Sequence, residues 1–191
     1  MSYLTKAERR KFILELAMHI AMEEGLNTLT VRHIAQQAGL SVGLIHHHFN
    51  NVQELKAEVF MALVHKCLDP NRMDSQQSFM AQLLFCLGFT DLEEQKFYIR
   101  LWNDAEYNSH QSEAFKIIFL QSIEAWQHTV VVLLEQEYPH LKAEQQTDLA
   151  WQLIALTMGL EQLIRLNPTQ FNLAYIERLL TQHMQPYCRC I

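Results

Sequence analysis

Three consecutive histidines, His46, His47 and His48, are the residues that first suggest chemistry in this sequence. Imidazole ligates metals and changes charge near neutral pH. Neighbours on a helix point about 100° apart, however, so three in a row cannot all close on one ion. Cys188 and Cys190 have the chemistry of a soft-metal or redox pair, but their place at the chain end reads as a frayed tail. Glu135, Glu137 and His140 read as a solvated helix end. No nucleophile–base pairing, phosphate-cradling glycine loop or H-E-x-x-H occurs, so the sequence gives no catalytic residue, no metal site and no cofactor, and an enzyme is not expected. The histidines lie just downstream of Thr30 and Ser41. Hydroxyl residues at helix starts satisfy backbone amides and leave that end suited to phosphate. The chemistry on offer is therefore contact with a polyanion.

The elements that must position these groups follow from periodicity. Thr5 and Glu8 form a T-x-x-E capping box, and Phe12, Ile13, Leu16, Ala17, Ile20 and Ala21 repeat at helical spacing up to a stop at Gly25. Thr30 caps a short helix over about Val31–Ala38. Gly39 supplies the positive φ of a tight turn, and Ser41 caps a third helix over about Val42–His48. Ala35 and Ala38 are small enough for the two short helices to cross closely. Asn50 and Asn51 mark a break before a fourth helix at about Val52–Lys66. Two short helices joined by a glycine turn between longer ones have helix-turn-helix spacing. Pro70, Asn71, Asp74 and Ser75 read as a hinge. Beyond it, helices are expected at about 76–89, 92–107, 112–137, 143–166 and 170–185. The fold class is all-α: a three-helix helix-turn-helix head over 1–50, a linking helix and hinge over 51–74, and a second helical domain over 75–191.

Composition bounds the reading further. Hydrophobic residues make up 49% and charged residues 19% of 191 positions, which excludes a disordered tail protein. The net charge of −6 would by itself argue against nucleic acid, but it is unevenly spread. Residues 1–66 carry seven Lys/Arg against six Asp/Glu, while 67–191 carry eight against fifteen. Six of the ten histidines also lie in the first 66 residues. A polyanion should therefore meet the head. No signal peptide and no membrane-length apolar run is read, and the four cysteines show no disulfide framework, so a reduced cytoplasmic setting without a membrane partner is expected.

The stretch from Thr30 to Phe49 resembles the DNA-binding motif of the tetracycline-repressor (TetR) family. That family's pattern has a Thr cap, an I-A-x-x-A-G-V-S turn and a recognition helix reading G-x-L-Y-Y-H-F. Here Ile34-Ala35, Ala38-Gly39-Leu40-Ser41, Gly43, Ile45, His48 and Phe49 carry the likeness. The resemblance implies a DNA-binding transcription regulator whose partners are double-stranded operator DNA, a small-molecule effector and a second copy of itself. It implies that Val42, Gly43 and Leu44 enter the major groove and that Thr30, Ser41, His46 and His47 lie at phosphate. His48 would pack near the phosphate, and Phe49 would be core. Arg32 is a further phosphate candidate. Two departures stand out: Val52 occupies a position where the family has Lys, so that Lys56 would have to reach across, and His46 and His47 replace tyrosines. Protonated histidine adds charge, so operator binding is expected to strengthen below about pH 6.5, the unperturbed imidazole value.

In the second domain the family encloses an effector pocket. Phe79, Leu83, Tyr98, Trp102, Asp104, Glu106, Phe119, Trp126, Met158 and Glu161 are its candidate lining. The segment Phe97–Ala105 and the head residues Arg32–Ala35 are similar to choline-responsive, BetI-like members. An aromatic and acidic pocket suits a cation. The family also pairs its last two long helices between subunits, which makes Leu149, Leu153, Leu156, Leu160, Ile176 and Leu180 the candidate dimer interface of a ligand-released repressor on a palindromic operator. The competing reading is a small-molecule or metal sensor with a vestigial head.

Overall fold

The computed structural model describes residues 5–69, 72–73, 76–89 and 92–188, and the side chains of Leu92 and Glu93 fall outside that description. The expected hinge residues Pro70, Asn71, Asp74 and Ser75, and Cys190 of the terminal cysteine pair, lie outside the described residues. Every regular element among the described residues is helical: α1 (Lys6–Glu24), α2 (Val31–Ala38), α3 (Val42–His48), α4 (Val52–Cys67), α5 (Phe79–Cys86), α6 (Leu92–Ser109), α7 (Glu113–Glu137), α8 (Ala143–Leu166) and α9 (Leu173–Met184), with single 3-10 turns at Leu26–Thr28 and Gln185–Tyr187.

The helix ends follow from the caps. The Thr5 and Glu8 side chains close a reciprocal capping box on α1. Thr30 Oγ1 accepts from the His33 amide at 3.1 Å, and Ser41 Oγ accepts from the Leu44 amide at 3.2 Å. Gly39 adopts φ 64° and ψ 30°, the left-handed conformation that glycine reaches without strain. α5 is shorter than the periodicity suggests. Ser78 Oγ caps its start through the Ala81 amide, and past its end Gly88 turns to φ 76° while the Phe89 amide bonds back to the Leu84 carbonyl at 2.8 Å. The expected helix over 76–89 runs past both signals, through polar Gln76 and Gln77 at its start and through Leu87 and Phe89 at its end, and the two signals cut it short.

The chain forms two compact units, one of residues 1–67 with 96–122, the other of 68–95 with 123–191. The first unit therefore takes in most of α6 and the start of α7 as well as the head, a grouping that a single cut near residue 74 does not give. In it α1 packs on α2 and α4, and α2 on α3. Its core includes Ile13, Ala17, Leu26, Ile34, Ile45, Phe49, Leu55, Phe60 and Phe115, all at most 2% exposed. Each of the large side chains among these, removed from water, contributes about 1.5–3 kcal/mol. The second unit buries Leu83, Leu87, Trp126, Val130, Leu134, Leu149, Leu153, Ile176 and Leu180.

One expectation needs correcting here. α7 is long and apolar enough to cross a membrane by length and composition, with a best-window mean hydropathy of 1.4, of which 33% is buried. Its charged residues gather near the two ends, leaving Glu124 as the only Asp, Glu, Lys or Arg over 117–134.

Candidate nucleic-acid interface

The turn at Gly39 joins the end of α2, whose start is capped by Thr30, to the Ser41-capped start of α3. The Leu40 amide bonds to the Ala35 carbonyl at 2.9 Å and the Gly39 amide to the Gln36 carbonyl at 3.3 Å. Inside, Ile34, Ala35 and Ile45 close the crossing, and Phe49 anchors the end of α3 beneath the Arg10 guanidinium, which lies 4.6 Å from the ring centroid. Arg10 also pairs with Glu58 at 2.5 Å, which ties α1 to α4 around the recognition helix.

Thr30, Arg32, Ser41, Val42, Gly43, His46 and His47 are all exposed, and Leu44 is half-buried. Val42, Gly43, His46 and His47 fall at i, i+1, i+4 and i+5, so they form one open face of α3. Gly43 is the informative member. It sits inside a helix, where glycine costs about 0.5–1 kcal/mol relative to alanine. A Cβ there would meet nothing within 4 Å, and its φ is not in the left-handed region. Nothing in the chain's own packing requires glycine at this position, which is what a surface closely approached by an external partner would look like.

Lys56, predicted at phosphate, has another role, and His48 is a packing group. Lys56 is 7% exposed, and its Nζ donates to Asn108 Oδ1 at 3.3 Å. Burial lowers its pKa, and the Asp104 carboxylate acts in the opposite sense. It cannot stand in at phosphate for the family's lysine. His48 is 8% exposed, and neither ring nitrogen has a hydrogen-bond partner among the described residues. Burial lowers its pKa, with His47, Arg9, Lys6 and Arg10 adding to the effect. His48 is thus a neutral packing group.

Those same neighbours show what the sequence reading missed: the basic start of α1, Lys6-Ala7-Glu8-Arg9-Arg10-Lys11, lies close enough to α3 to act on its histidine. The charge run was visible. Its proximity to α3 depends on tertiary packing.

The buried Lys56 belongs to a polar clamp inside the first unit. Asp104 on α6 accepts from the Asn27 amide at 3.2 Å and from Asn27 Nδ2 at 2.8 Å. Asn108 Nδ2 donates to Asn27 Oδ1 at 2.7 Å and to the Asp104 carbonyl at 2.6 Å. Arg100 donates to the Met22 carbonyl in the last turn of α1. At Gly25, φ is 100°, and a Cβ would lie 3.0 Å from Asp104 Oδ2. The loop that leads from α1 into the helix-turn-helix is therefore clasped by α6 and, through Asn108, by α4.

The candidate pocket residues divide between the units. Phe79, Leu83, Trp126, Met158 and Glu161 are in the second; Tyr98, Trp102, Asp104, Glu106 and Phe119 are in the first. Asp104 is committed to the clamp, Glu106 is exposed, and Met158 is 38% exposed. Trp126 donates to the Cys86 carbonyl at 2.7 Å, a core bond. Trp102 packs edge-on against Phe60 and Phe119, with centroids 5.2 and 5.8 Å apart. Burial pushes the Glu161 carboxyl up to about 7, against the pull of Arg165.

The candidate interface residues also need correction: Leu149, Leu153, Leu160, Ile176 and Leu180 are at most 3% exposed within the chain itself, and Leu156 is half-buried. The exposed apolar face of α8 carries Trp151, Met158, Leu163 and Leu166 instead.

A capped helix-turn-helix with an open recognition face, on an otherwise helical body, defines a DNA-binding regulator. Residues 13–59 match the family model for bacterial regulatory proteins of the tetR family. Over 187 residues the chain is 26% identical to the HTH-type transcriptional regulator PksA of Bacillus subtilis, covering 95% of this chain and 90% of that protein. Over 53 residues it is 40% identical to the HTH-type transcriptional repressor KstR2 of Mycolicibacterium smegmatis, covering 28% and 26%. Among solved structures, a transcriptional regulator from Saccharomonospora viridis in complex with choline has a TM-score of 0.71 at 17% identity, over 94% of this chain and 96% of that one. The multidrug binding protein EbrR complexed with proflavin has a TM-score of 0.65 at 18% identity, over 92% and 99%. The head thus matches the tetR family over residues 13–59, and the chain as a whole is similar to HTH-type transcriptional regulators.

Proposed function

We propose that the protein is an effector-released repressor that binds palindromic operator DNA as a homodimer, in the cytoplasm and without catalytic activity. The observation that carries this reading is the open α3 face of Val42, Gly43, His46 and His47, with a glycine that the chain's own packing does not explain. Thr30 and Ser41 at the two helix starts, Arg32 beside them and the basic start of α1 supply phosphate contacts, which position the head. The α3 face supplies contacts to base edges.

Dimerisation is assigned to α8. Trp151, Ala155, Met158, Gly159, Leu163 and Leu166 are exposed. Ala155 and Gly159 are one turn apart, so they leave a shallow notch between large apolar side chains where a second helix can approach closely. A stripe of this kind fits burial against its own copy.

The effector is read as a small cation, in keeping with the choline and proflavin named for two structures of the same fold and with the likeness to choline-responsive members. Glu161 supports this: burial raises its carboxyl pKa to about 7, and a cation beside it would restore ionisation. Effector binding would release DNA through α6 and α4, whose grip on the loop after α1 is the Asn27–Asp104–Asn108–Lys56 clamp. The effector must favour the DNA-incompetent arrangement, and by linkage DNA must weaken the effector equally.

The test is binding of the DNA upstream of the protein's own gene, followed by fluorescence anisotropy across a salt series, with light scattering for mass. A steep salt slope and a dimeric mass are expected. Salt-independent binding, or a monomer that binds DNA at full affinity, would overturn the reading.

A further inference from the structure

In the first unit, a cavity opens where the first turns of α4 face the start of α7. The cavity has a volume of about 400 Å³, within the usual range for ligand pockets of about 300–1,000 Å³. Ala57, Met61, Phe115 and Ile118 form its apolar wall. Gln53, Glu54 and Glu58 line it on the polar side, and no Lys or Arg lines it.

The polar side is unequally satisfied. Glu58 is neutralised by Arg10 at 2.5 Å. Among the described residues the Glu54 carboxylate has a single, neutral partner, Asn50 Nδ2 at 2.7 Å. The nearest cation on α7, Lys116, faces Glu113 at 3.8 Å. Gln53 Oε1 is shut off from solvent and accepts no hydrogen bond among the described residues. A buried acceptor without a donor is costly, and the terminal amide torsion of glutamine is broad enough to turn that oxygen toward an incoming donor. The groove therefore offers an apolar wall, one uncompensated carboxylate and one acceptor in need of an N–H.

We infer that this α4–α7 cavity binds a small amphipathic amine that carries its charge on an N–H group, with the apolar body against Met61 and Phe115 and the ammonium between Glu54 and Gln53. The N–H requirement separates it from a site for quaternary ammonium ions, which have charge but no donor. The position gives the site a consequence. Only three residues separate the end of α3 from the start of α4, so an occupant braces the junction that holds the recognition helix.

The experiment uses the full chain and two probes, 2-phenylethylammonium and its N,N,N-trimethyl analogue, titrated by calorimetry. Circular dichroism checks that each variant is folded. Saturable binding of the primary amine is expected, at least fivefold tighter than its trimethyl analogue. Glu54→Gln should weaken it by at least fivefold. Ala114→Trp, at the exposed rim, should abolish it, whereas Glu161→Gln should leave it unchanged. Absent binding, equal affinity for the two probes, or loss on Glu161→Gln with retention in Ala114→Trp would each overturn the assignment. None of those results bears on DNA binding by α3, so this site and the repressor reading fail separately.

Discussion

Replacing Asn108 should cost the protein more than replacing the lysine it holds. Asn108→Ala removes the bonds to Asn27 Oδ1 and to the Asp104 carbonyl, and it strips Lys56 Nζ of its acceptor. Two neutral hydrogen bonds contribute about 1 kcal/mol each, and a bond to a charged group about 1.5–3 kcal/mol. The expected loss is therefore about 3–5 kcal/mol. Lys56→Met keeps the length and apolar stem and removes the buried ammonium, so it should cost about 1 kcal/mol or less, because apolar replacement of a buried charge is often nearly neutral. In the double variant no bare ammonium remains. Its loss should fall short of the sum of the single losses by about 1.5–3 kcal/mol. The assay is urea denaturation of the full chain at one protein concentration, since a dimer's stability depends on concentration. A cycle that closes within about 0.5 kcal/mol would refute the reasoning, because Lys56 would then not depend on Asn108.

Gly43→Ala should stabilise α3 by about 0.5–1 kcal/mol in thermal unfolding while weakening DNA binding at least tenfold; unchanged affinity would remove Gly43 from the interface. His48 has a folded pKa below its unfolded value, so its neutral form is the native one. Its contribution is therefore complete above about pH 6.5 and is lost as pH falls through and below that value. Lowering the pH from 7.5 to 5.5 should reduce the head's protection against amide exchange and weaken DNA binding, and that acid-side loss should persist when His46→Gln and His47→Gln leave His48 in place. Trp151→Asp should give a monomer by light scattering with little loss of secondary structure, whereas Leu153→Ala, in the core, should cost about 2–5 kcal/mol of stability; a dimer that survives Trp151→Asp would place the interface elsewhere.

Local chemistry was legible in the sequence. Thr5, Thr30 and Ser41 announced their helix starts, and Gly39 its turn, because each acts through its own backbone within a few residues. Ser78 and Gly88 carried the same kind of signal and were overlooked at the two ends of the apolar run. What sequence could not give was the choice between faces. α8 carries large apolar residues on more than one face, so periodicity found Leu149, Leu153 and Leu160 but did not show that the chain itself would cover them and leave Trp151 and Met158 outside. Lys56 and Asp104 read as surface or pocket charges because their partners, Asn108 and Asn27, are 52 and 77 residues away.

The clasp on the loop after α1 bears on how this regulator could be taken apart. A head cut after α4 would lose Arg100, Asp104 and Asn108, exposing the α1 carbonyl end and leaving Lys56 without its acceptor. The module that must travel intact is discontinuous in the chain, since it includes 96–122 as well as 1–67. A chimera that grafts only the first helices onto a foreign sensor would inherit the operator specificity but not the support beneath it. A transferable version would need the graft to restore a carboxylate and an amide opposite Asn27, or Asn27 and Lys56 would have to be replaced by residues that need no partners.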